Sequence, residues 1–283
     1  MKPALRWRRR RAGGSREILR KGNEKVRYHI DTIPVWDAMK LDGECLLCAL
    51  ERKTELGEAE RYLGASVMEP DTRVQVNAKG FCRHHHAMLF GMSNRLGHAL
   101  MLESHMIETR ERTEKICRKL ESAAGTLKGI GLAGKLGGKA KGAEAAVRES
   151  TEALRAVSDS CLMCETIREN MQRYLHTFLH LYRNDSDFRS RFGAGKGLCL
   201  PHTARLLETA QEELPPKELG ELISVLVRLQ KENLDRIQEE ISWFIKKFDY
   251  RFEQEPWGNS KDAVERTVNK LRGWCVGKEP AEQ

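Results

Sequence analysis

The sequence contains one set of metal-binding residue types twice, at matching spacings. Each copy consists of a C-x2-C pair, a spacer, and the pattern K-G-apolar-C-x2-H. Three cysteines and one histidine, supplied as two close pairs, are typical ligands of a closed tetrahedral zinc site. Because all four ligand positions occur in both copies, the pattern is much more specific than a single match. The eight candidate metal ligands are Cys45, Cys48, Cys82 and His85 in the first copy, and Cys161, Cys164, Cys199 and His202 in the second.

We expect each copy to bind one Zn²⁺ ion with its own four ligands. The two pairs are separated by 33 residues in the first copy and by 34 in the second. A spacer of that length can form a helix of about 20 residues and a returning loop of about 15. Each copy is therefore predicted to be a helical hairpin clamped at its metal end, with each ligand pair at a helix N-terminus, where the partial positive charge favours thiolate.

Two features of the predicted sites stay open at this stage. His85 matches the spacing of His202, but His86 is the next candidate for the fourth ligand of the first site because longer gaps also occur at zinc sites. The same residue types can also bind iron in an iron–sulfur centre. The sequence therefore predicts two Cys3His sites and favours zinc without excluding iron.

The remaining composition and periodicity predict an all-α fold. Charged residues make up 32% of the chain and aromatic residues 6%, which favours helices over a β-sandwich or barrel. Apolar residues recur at helical spacing over about 82–123 and 217–248. We expect an extended lead-in over 28–37 and a loop over 65–80. The fold class is thus predicted as two zinc-clamped helical-hairpin repeats joined by a Gly/Lys-rich hinge.

Positive charge is concentrated at the N-terminus. Residues 1–27 contain 11 Lys or Arg and 2 Glu, which gives this segment a net charge of +9. The whole chain has a net charge of +8, so the residues after position 27 together carry about −1. We expect this segment to be a disordered extension that could contact nucleic acid weakly. The predicted division is 1–27 extension, 28–124 first repeat, 125–150 hinge, 151–275 second repeat with C-terminal helices, and 276–283 tail.

The sequence also bears on location and on the class of function. No apolar run approaches the ~18–20 residues needed to span a bilayer, and no signal peptide is evident, so we expect a cytoplasmic protein. In a reducing cytosol, eight cysteines favour metal binding over disulfides. No nucleophile–base pattern is present, and a closed four-ligand site leaves no position for a substrate. We therefore predict a non-enzymatic interaction or scaffold protein, without identifying its protein partner or oligomeric state.

Two other functions are consistent with the same residues. Oxidation of the C-x2-C pairs would release metal, which would make the protein a redox- or zinc-responsive switch. Alternatively, the basic N-terminal arm would make it a nucleic-acid-associated protein. The remaining candidates are weaker: His176 and His180 are better explained as packing or surface residues, Cys117 as a buried apolar residue on a helix, and Cys275 as an unpaired thiol.

The repeats and their flanking residues resemble an uncharacterised family of bacterial helical proteins with twin C-x2-C…K-G-[FL]-C-x2-H units. The resemblance covers about residues 28–272 and leaves out the basic extension and the Gly-rich hinge. It implies a mainly helical protein without an assigned activity. The matching segments are Thr32-Ile-Pro-Val, Cys45-Leu-Leu-Cys48, Gly80-Phe-Cys82, Cys161-Leu-Met-Cys164, Asp187-Phe-Arg, Lys196-Gly-Leu-Cys199-Leu-Pro-His202, Lys247-Phe-Asp-Tyr250 and Lys261-Asp-Ala.

Overall fold

A computed structural model describes residues 32–129 and 138–277, and the regular secondary structure of these residues is helical. The predicted all-α class is therefore confirmed. Short 3-10 helices occur at Ala65–Met68, Tyr250–Phe252 and Gly258–Ser260. The α-helices are α1 at residues 32–40, α2 Leu46–Leu63, α3 Pro70–Lys79, α4 Arg83–Gly91, α5 Arg95–Lys128, α6 Gly138–Asp159, α7 Leu162–Asn184, α8 Ser186–Ala194, α9 Leu200–Glu213, α10 Pro216–Lys246 and α11 Ala263–Arg272.

The described residues form two compact units that do not follow the order of the repeats. The first compact unit contains residues 32–52 and 171–277, and the second contains residues 53–129 and 138–170. The division falls inside α2 and α7, so each of these helices contributes residues to both units. The repeat boundaries at 28–124 and 151–275 stay a prediction.

The first compact unit is built around the aromatic face of α7 and the apolar stripes of α9 and α10. Phe178 packs edge-on against Phe188 and Phe192 of α8, with ring centroids 5.2 and 4.9 Å apart. Such edge-to-face pairs add about 0.5–1.5 kcal/mol each beyond the area they bury. Leu206 of α9 and Leu222 of α10 are fully buried, and α11 packs on both of these helices.

The second compact unit is built around α5, which packs against α3, α4 and α6. Tyr62, Leu89 and Met101 are buried in its core. Asn94 begins α5 by accepting a hydrogen bond from the Gly97 N–H at 2.8 Å. Because this cap starts a new helix, the single helix predicted over about 82–123 is wrong, and the chain forms α4 and α5 instead.

Three other segments differ from the sequence-based prediction. Residues 32–40 are helical rather than extended, and residues 70–79 form α3 rather than a loop. Pro70 and Asp71 occupy the first turn of α3, where proline lacks only an N–H that needs no intrahelical acceptor and the carboxylate favours the helix dipole. Within the predicted hinge, residues 138–150 are helical, since alanine favours the helix and Ala140 and Ala143 are buried in α6, which packs against α5.

The membrane prediction can be checked in the described ranges. None of the helices in residues 32–129 and 138–277 is long and apolar enough to cross a membrane. The basic extension at residues 1–27 lies outside the described residues.

Candidate metal centres

All four ligand pairs lie at helix N-termini, as predicted. Cys45 immediately precedes α2 and Cys161 immediately precedes α7, while Cys82 and Cys199 are the N-cap residues of α4 and α9. Neither N-cap cysteine uses its side chain to accept a hydrogen bond from its own helix. Each thiol thus experiences the positive end of a helix dipole and stays available to a metal ion.

The first candidate metal centre joins the starts of α2 and α9, and we call it site one. Its candidate ligands are Cys45, Cys48, Cys199 and His202, all of them buried and all within the first compact unit. The Cys48 and Cys199 sulfurs are 3.6 Å apart. His202 Nδ1 lies 3.5, 3.4 and 3.2 Å from the sulfurs of Cys45, Cys48 and Cys199, respectively.

The second candidate metal centre, site two, joins the starts of α4 and α7. Its candidate ligands are Cys82, His85, Cys161 and Cys164, all within the second compact unit. The Cys82 and Cys164 sulfurs are 3.7 Å apart. His85 Nδ1 lies 3.4, 3.1 and 3.4 Å from the sulfurs of Cys82, Cys161 and Cys164, respectively.

The predicted pairing of the ligands is therefore wrong. We expected each C-x2-C pair to meet the C-x2-H pair of its own repeat, but each meets that of the other repeat. Cys48 lies beside Cys199, 151 residues away in sequence, and His85 lies beside Cys161, 76 residues away. The eight residues do gather into two Cys3His sets, but the within-repeat hairpin clamped by its own ion does not form. Equal spacing in both repeats made the two pairings indistinguishable in the sequence.

The glycine of each K-G-apolar-C pattern has a backbone conformation that its motif requires. Gly80 has φ 61° and Gly197 has φ 71°, in the region where residues with a Cβ atom are disfavoured. A Cβ atom on Gly80 would lie 2.5 Å from His105 Nε2, and one on Gly197 would lie 3.2 Å from Leu229 Cβ. Both glycines turn the chain so that the cysteine two residues later faces the metal ligands of the other repeat.

The lysine of each motif connects its segment to the C-x2-C pair that it faces. Lys79 forms an ion pair with Glu165, which follows Cys164, and Lys196 forms one with Asp42, which precedes Cys45. Both ion pairs are partly exposed, so each contributes at most about 1 kcal/mol. These ion pairs favour contact between each K-G segment and the C-x2-C pair of the other repeat.

Partly buried hydrogen bonds to the carbonyls of the K-G segments support this matching. In the second unit, Ser160 Oγ donates to the Lys79 carbonyl at 2.6 Å. The Leu162 N–H donates to the Gly80 carbonyl at 3.0 Å. In the first unit, Lys270 Nζ donates to the Lys196 carbonyl at 2.5 Å.

The spacing of the ligand atoms fits one tetrahedral ion at each site. Bonds of about 2.3 Å to sulfur and about 2.05 Å to nitrogen place tetrahedral ligands about 3.8 Å apart for two sulfurs and about 3.6 Å apart for sulfur and nitrogen. The closest sulfur pairs are at 3.6 and 3.7 Å, and the sulfur–nitrogen pairs at 3.1–3.5 Å. All ligand atoms of each site lie within 4.8 Å of one another. Both Cys3His sets could therefore hold a metal ion.

Hydrogen bonding within each candidate site shifts the pKa values of its Cys and His side chains. Burial disfavours the charged form of His85, but the hydrogen bonds with Cys161 and Glu55 outweigh burial and raise its pKa to about 10. Burial also disfavours the charged form of His202, but hydrogen bonds with Cys199 and Cys45 outweigh it and raise the pKa of this ring to about 10. Burial also opposes the Cys161 thiolate, yet hydrogen bonding to His85 lowers the pKa of this thiol to about 6. A divalent cation would replace the protons that these groups share.

Site one is enclosed more completely than site two. The Trp274 N–H donates to Cys48 Sγ at 3.3 Å, and the Arg52 guanidinium lies 4.9 Å from the Trp274 ring centroid. Lys270 is fully buried, and desolvation lowers its pKa against the opposing negative charges of Glu44 and Cys45. In site two, Cys82 and Cys164 are partly exposed. Solvent and small reagents therefore reach site two more readily.

The other candidate residues lie outside the two Cys3His sets. His86 Nδ1 is 3.1 Å from His98 Nε2, so it faces a histidine and not the sulfurs, and the structure favours His85 as the fourth ligand. Cys117 and Cys275 are exposed, which contradicts the expected burial of Cys117. His176 is paired with Glu213 in the partly exposed region between α7 and α9.

The sequence analysis missed two acidic residues of α2 beside the candidate centres. Glu51 Oε2 lies 3.4 Å from His202 Nε2, and Glu55 Oε1 lies 3.4 Å from His85 Nε2. Each carboxylate thus faces the ring nitrogen that points away from the sulfurs. Glu51 follows Cys48 by three residues, which could have marked it, but no sequence signal connects Glu55 with His85.

Comparisons with known proteins place the chain in a family but do not identify a role. A family model described as a family of unknown function (DUF6062) matches residues 26–278, a range that includes both Cys3His sets. No curated protein and no solved structure matches the chain. The match covers most of the sequence and confirms the resemblance seen in the repeated motifs. The chain belongs to this family of unknown function.

Proposed function

We propose that the chain is a zinc-stabilised helical protein with two structural Cys3His sites. The observation that carries this proposal is the meeting of eight Cys and His donors, at four helix N-termini, in two sets with tetrahedral spacing. Zn²⁺ imposes no geometry of its own and is commonly bound by such sets in structural sites. Sulfurs only 3.6–3.7 Å apart favour ligands of one ion over ligands spread around an iron–sulfur cluster.

A structural role follows from what each ion would join. At site one the ion would join the starts of α2 and α9, and at site two the starts of α4 and α7. Structural zinc sites contribute about 10–16 kcal/mol of apparent binding free energy, which is coupled to folding. Three thiolates and one imidazole fill the coordination shell, so this ligand set favours scaffolding over metal catalysis.

An interaction role is supported by apolar side chains at the end of α10. Phe248 is 75% exposed and Tyr250 is 85% exposed, and the Phe248 ring lies 5.3 Å from that of Phe244. Exposed aromatic groups of this kind are typical of binding surfaces. We therefore propose a protein partner for this surface and, because reduced thiols are needed for metal binding, a cytoplasmic location.

Double substitution tests both the metal sites and the crossed pairing. C45S/C199S removes two ligands from site one and leaves site two intact. C45S/C82S removes one ligand from each site. We expect the wild-type protein to contain two zinc equivalents, C45S/C199S one, and C45S/C82S neither at full affinity, as measured by elemental analysis after dialysis against a weak chelator.

The two variants are matched because each replaces two buried or partly buried cysteines with serine. Within-repeat pairing would reverse their zinc contents, since Cys45 and Cys82 would then share one site. A wild-type protein purified under reducing conditions that binds no zinc would refute the proposed function altogether. Cobalt substitution provides an independent readout, because tetrahedral thiolate ligation gives intense charge-transfer and d–d absorption.

A second candidate function, a redox-responsive switch, is favoured by the exposure of site two. Cys82 and Cys164 are partly exposed, and their sulfurs are 3.7 Å apart. Hydrogen peroxide would oxidise the two thiolates to one disulfide, release Zn²⁺, and be reduced to two water molecules after taking up two protons. Release of one zinc equivalent at low peroxide dose, reversed by dithiothreitol, would support a switch. Release only together with irreversible unfolding would refute it.

Contact with nucleic acid through residues 1–27 stays a prediction, since these residues lie outside the described ranges. It requires affinity that falls steeply with salt and is lost when residues 1–27 are deleted. Equal binding by the shortened and full-length proteins would refute it.

A further inference from the structure

Both metal-binding histidines have the same orientation, with one ring nitrogen directed to the sulfurs and the other to a carboxylate. Nδ1 faces three sulfurs in each case, at 3.1–3.4 Å for His85 and 3.2–3.5 Å for His202. The two histidine side chains are each only 3% exposed, so water has little access to Nε2. A neutral ring that binds metal through Nδ1 must carry its proton on Nε2, and a buried N–H group without an acceptor costs about 1–3 kcal/mol.

Helix α2 places a carboxylate oxygen near each of these ring nitrogens. Glu51 Oε2 lies 3.4 Å from His202 Nε2, and Glu55 Oε1 lies 3.4 Å from His85 Nε2. The two glutamates are four residues apart, so they lie on one face of α2, one turn apart. Both distances exceed the usual range of about 2.7–3.2 Å for N–H···O hydrogen bonds, and the buried His85 Nε2 has no hydrogen-bond partner of normal geometry, so Glu55 is placed beside a nitrogen that still needs an acceptor.

A second neighbour fixes the direction of each carboxylate. Arg205 Nη1 lies 3.5 Å from Glu51 Oε1, the oxygen that does not face His202. His84 Nε2 lies 2.7 Å from Glu55 Oε1. The position equivalent to His84 in the other repeat is Pro201, so the two carboxylates are held in place by different residues.

We propose that Glu51 and Glu55 are the positioning residues of the two metal sites. Each accepts the Nε2–H of its histidine, fixes the tautomer that leaves Nδ1 free for the metal, and increases the basicity of that nitrogen. Carboxylate–histidine–metal arrangements of this kind typically alter metal affinity 10–100-fold when the carboxylate is removed. This inference rests on the metal-binding function proposed above and extends it to residues outside the repeated motif.

The test compares alanine and glutamine variants of the full-length, zinc-loaded protein. We expect E51A to weaken Zn²⁺ binding 10–100-fold at site one only, and E55A to do the same at site two only. E51Q and E55Q keep an accepting oxygen without the charge, so we expect smaller losses. Zinc affinity is measured by competition with a chromogenic chelator, and E60A, an exposed glutamate on the same helix, is the matched control.

A second measurement separates positioning from general stabilisation. Long-range ¹H–¹⁵N correlation spectra report which ring nitrogen of each histidine carries a proton. In the wild-type protein and E60A, we expect Nε2 to be protonated and protected from exchange with water in both rings. In E51A the His202 signal alone should lose protection or change tautomer, and in E55A the His85 signal alone should do so.

The possible outcomes separate this inference from the proposed function. If E51A and E55A bind two zinc equivalents with the affinity and ring spectra of E60A, the positioning role is wrong while the metal sites stand. If the wild-type protein binds no zinc, the proposed function fails first. If an alanine variant does not fold, the glutamine variant decides: unchanged affinity and unchanged proton exchange would refute a charge-dependent role.

Discussion

Substitution of Gly80 by alanine tests the idea that the K-G-apolar-C pattern directs each cysteine to the opposite repeat. Gly80 ends α3 with φ 61° and ψ −155°, a region populated almost exclusively by glycine. Its carbonyl accepts the Leu162 N–H at 3.0 Å, and Cys82 follows two residues later. A change in this backbone conformation would therefore displace a metal ligand.

The expected cost of Gly80→Ala can be built from two contributions. Holding a residue with a Cβ atom in this conformation costs about 1–3 kcal/mol. The new Cβ atom would also lie 2.5 Å from His105 Nε2, so the ring must move. His105 Nδ1 is 2.9 Å from the Asn77 carbonyl, and loss of that hydrogen bond costs about 0.5–1.5 kcal/mol. Together these contributions predict a loss of about 2–4 kcal/mol in the free energy of unfolding.

Urea unfolding of the zinc-loaded protein, followed by far-UV circular dichroism, measures this loss. Gly57→Ala is the matched control, because Gly57 lies inside α2 and an added Cβ atom would have no neighbour within 4 Å. Alanine in a helix interior is favoured over glycine by about 0.8–1.0 kcal/mol, so the control should be stabilised. Chelator competition should show weaker zinc binding at site two only in Gly80→Ala.

The reasoning would be refuted by a Gly80→Ala protein with wild-type stability and two tightly bound zinc equivalents. Destabilisation with unchanged zinc affinity would be a narrower result. It would retain the backbone requirement at Gly80 but reject its role in placing Cys82.

Three further predictions follow from the two sites. Zinc removal by a strong chelator should lower the midpoint of thermal unfolding and the helical circular dichroism signal, since each site would then bury thiols and a charged histidine ring without an ion. An unchanged midpoint after full zinc loss would contradict a structural role. Chelation should remove zinc from site two before site one, because Cys82 and Cys164 are partly exposed and the ligands of site one are buried; a single release phase, followed with a metal-sensitive dye, would contradict this order. Lys270→Met should lower the free energy of unfolding by about 1–3 kcal/mol, because the Lys196 carbonyl would lose its hydrogen-bond donor. The control Lys231→Met, at an exposed position of α10, should change that free energy by less than about 0.5 kcal/mol. Urea unfolding measures both.

The helical fold was largely accessible from the sequence because its signals are local. Apolar residues at helical spacing over about 217–248 predicted α10, which the structure places at Pro216–Lys246. Errors arose where Pro or polar residues are equally common in a turn and at the start of a helix. Pro70 and Asp71 suit a turn as well as the first turn of a helix, and Asn94 at a helix N-terminus divided a stretch whose apolar spacing is continuous.

The residues of the candidate sites were also accessible from the sequence, because ligand chemistry depends on residue type and close spacing. Cys45 and Cys48 must lie together, as must Cys199 and His202, since each pair spans one turn at a helix N-terminus. That argument concerns contacts within four residues. It contains no information about which C-x2-C pair contacts which C-x2-H pair.

The sequence alone determined a helical fold with two C-x2-C pairs and two C-x2-H pairs as candidate metal ligands. Only the tertiary structure decided that Cys48 meets Cys199 across 151 residues and that carboxylates of α2 face both histidines. The physical reason is that both pairings satisfy the same local spacing and the same ligand chemistry. The choice between them depends on the packing of whole helices and on contacts such as Lys270 with the Lys196 carbonyl, which join residues distant in sequence.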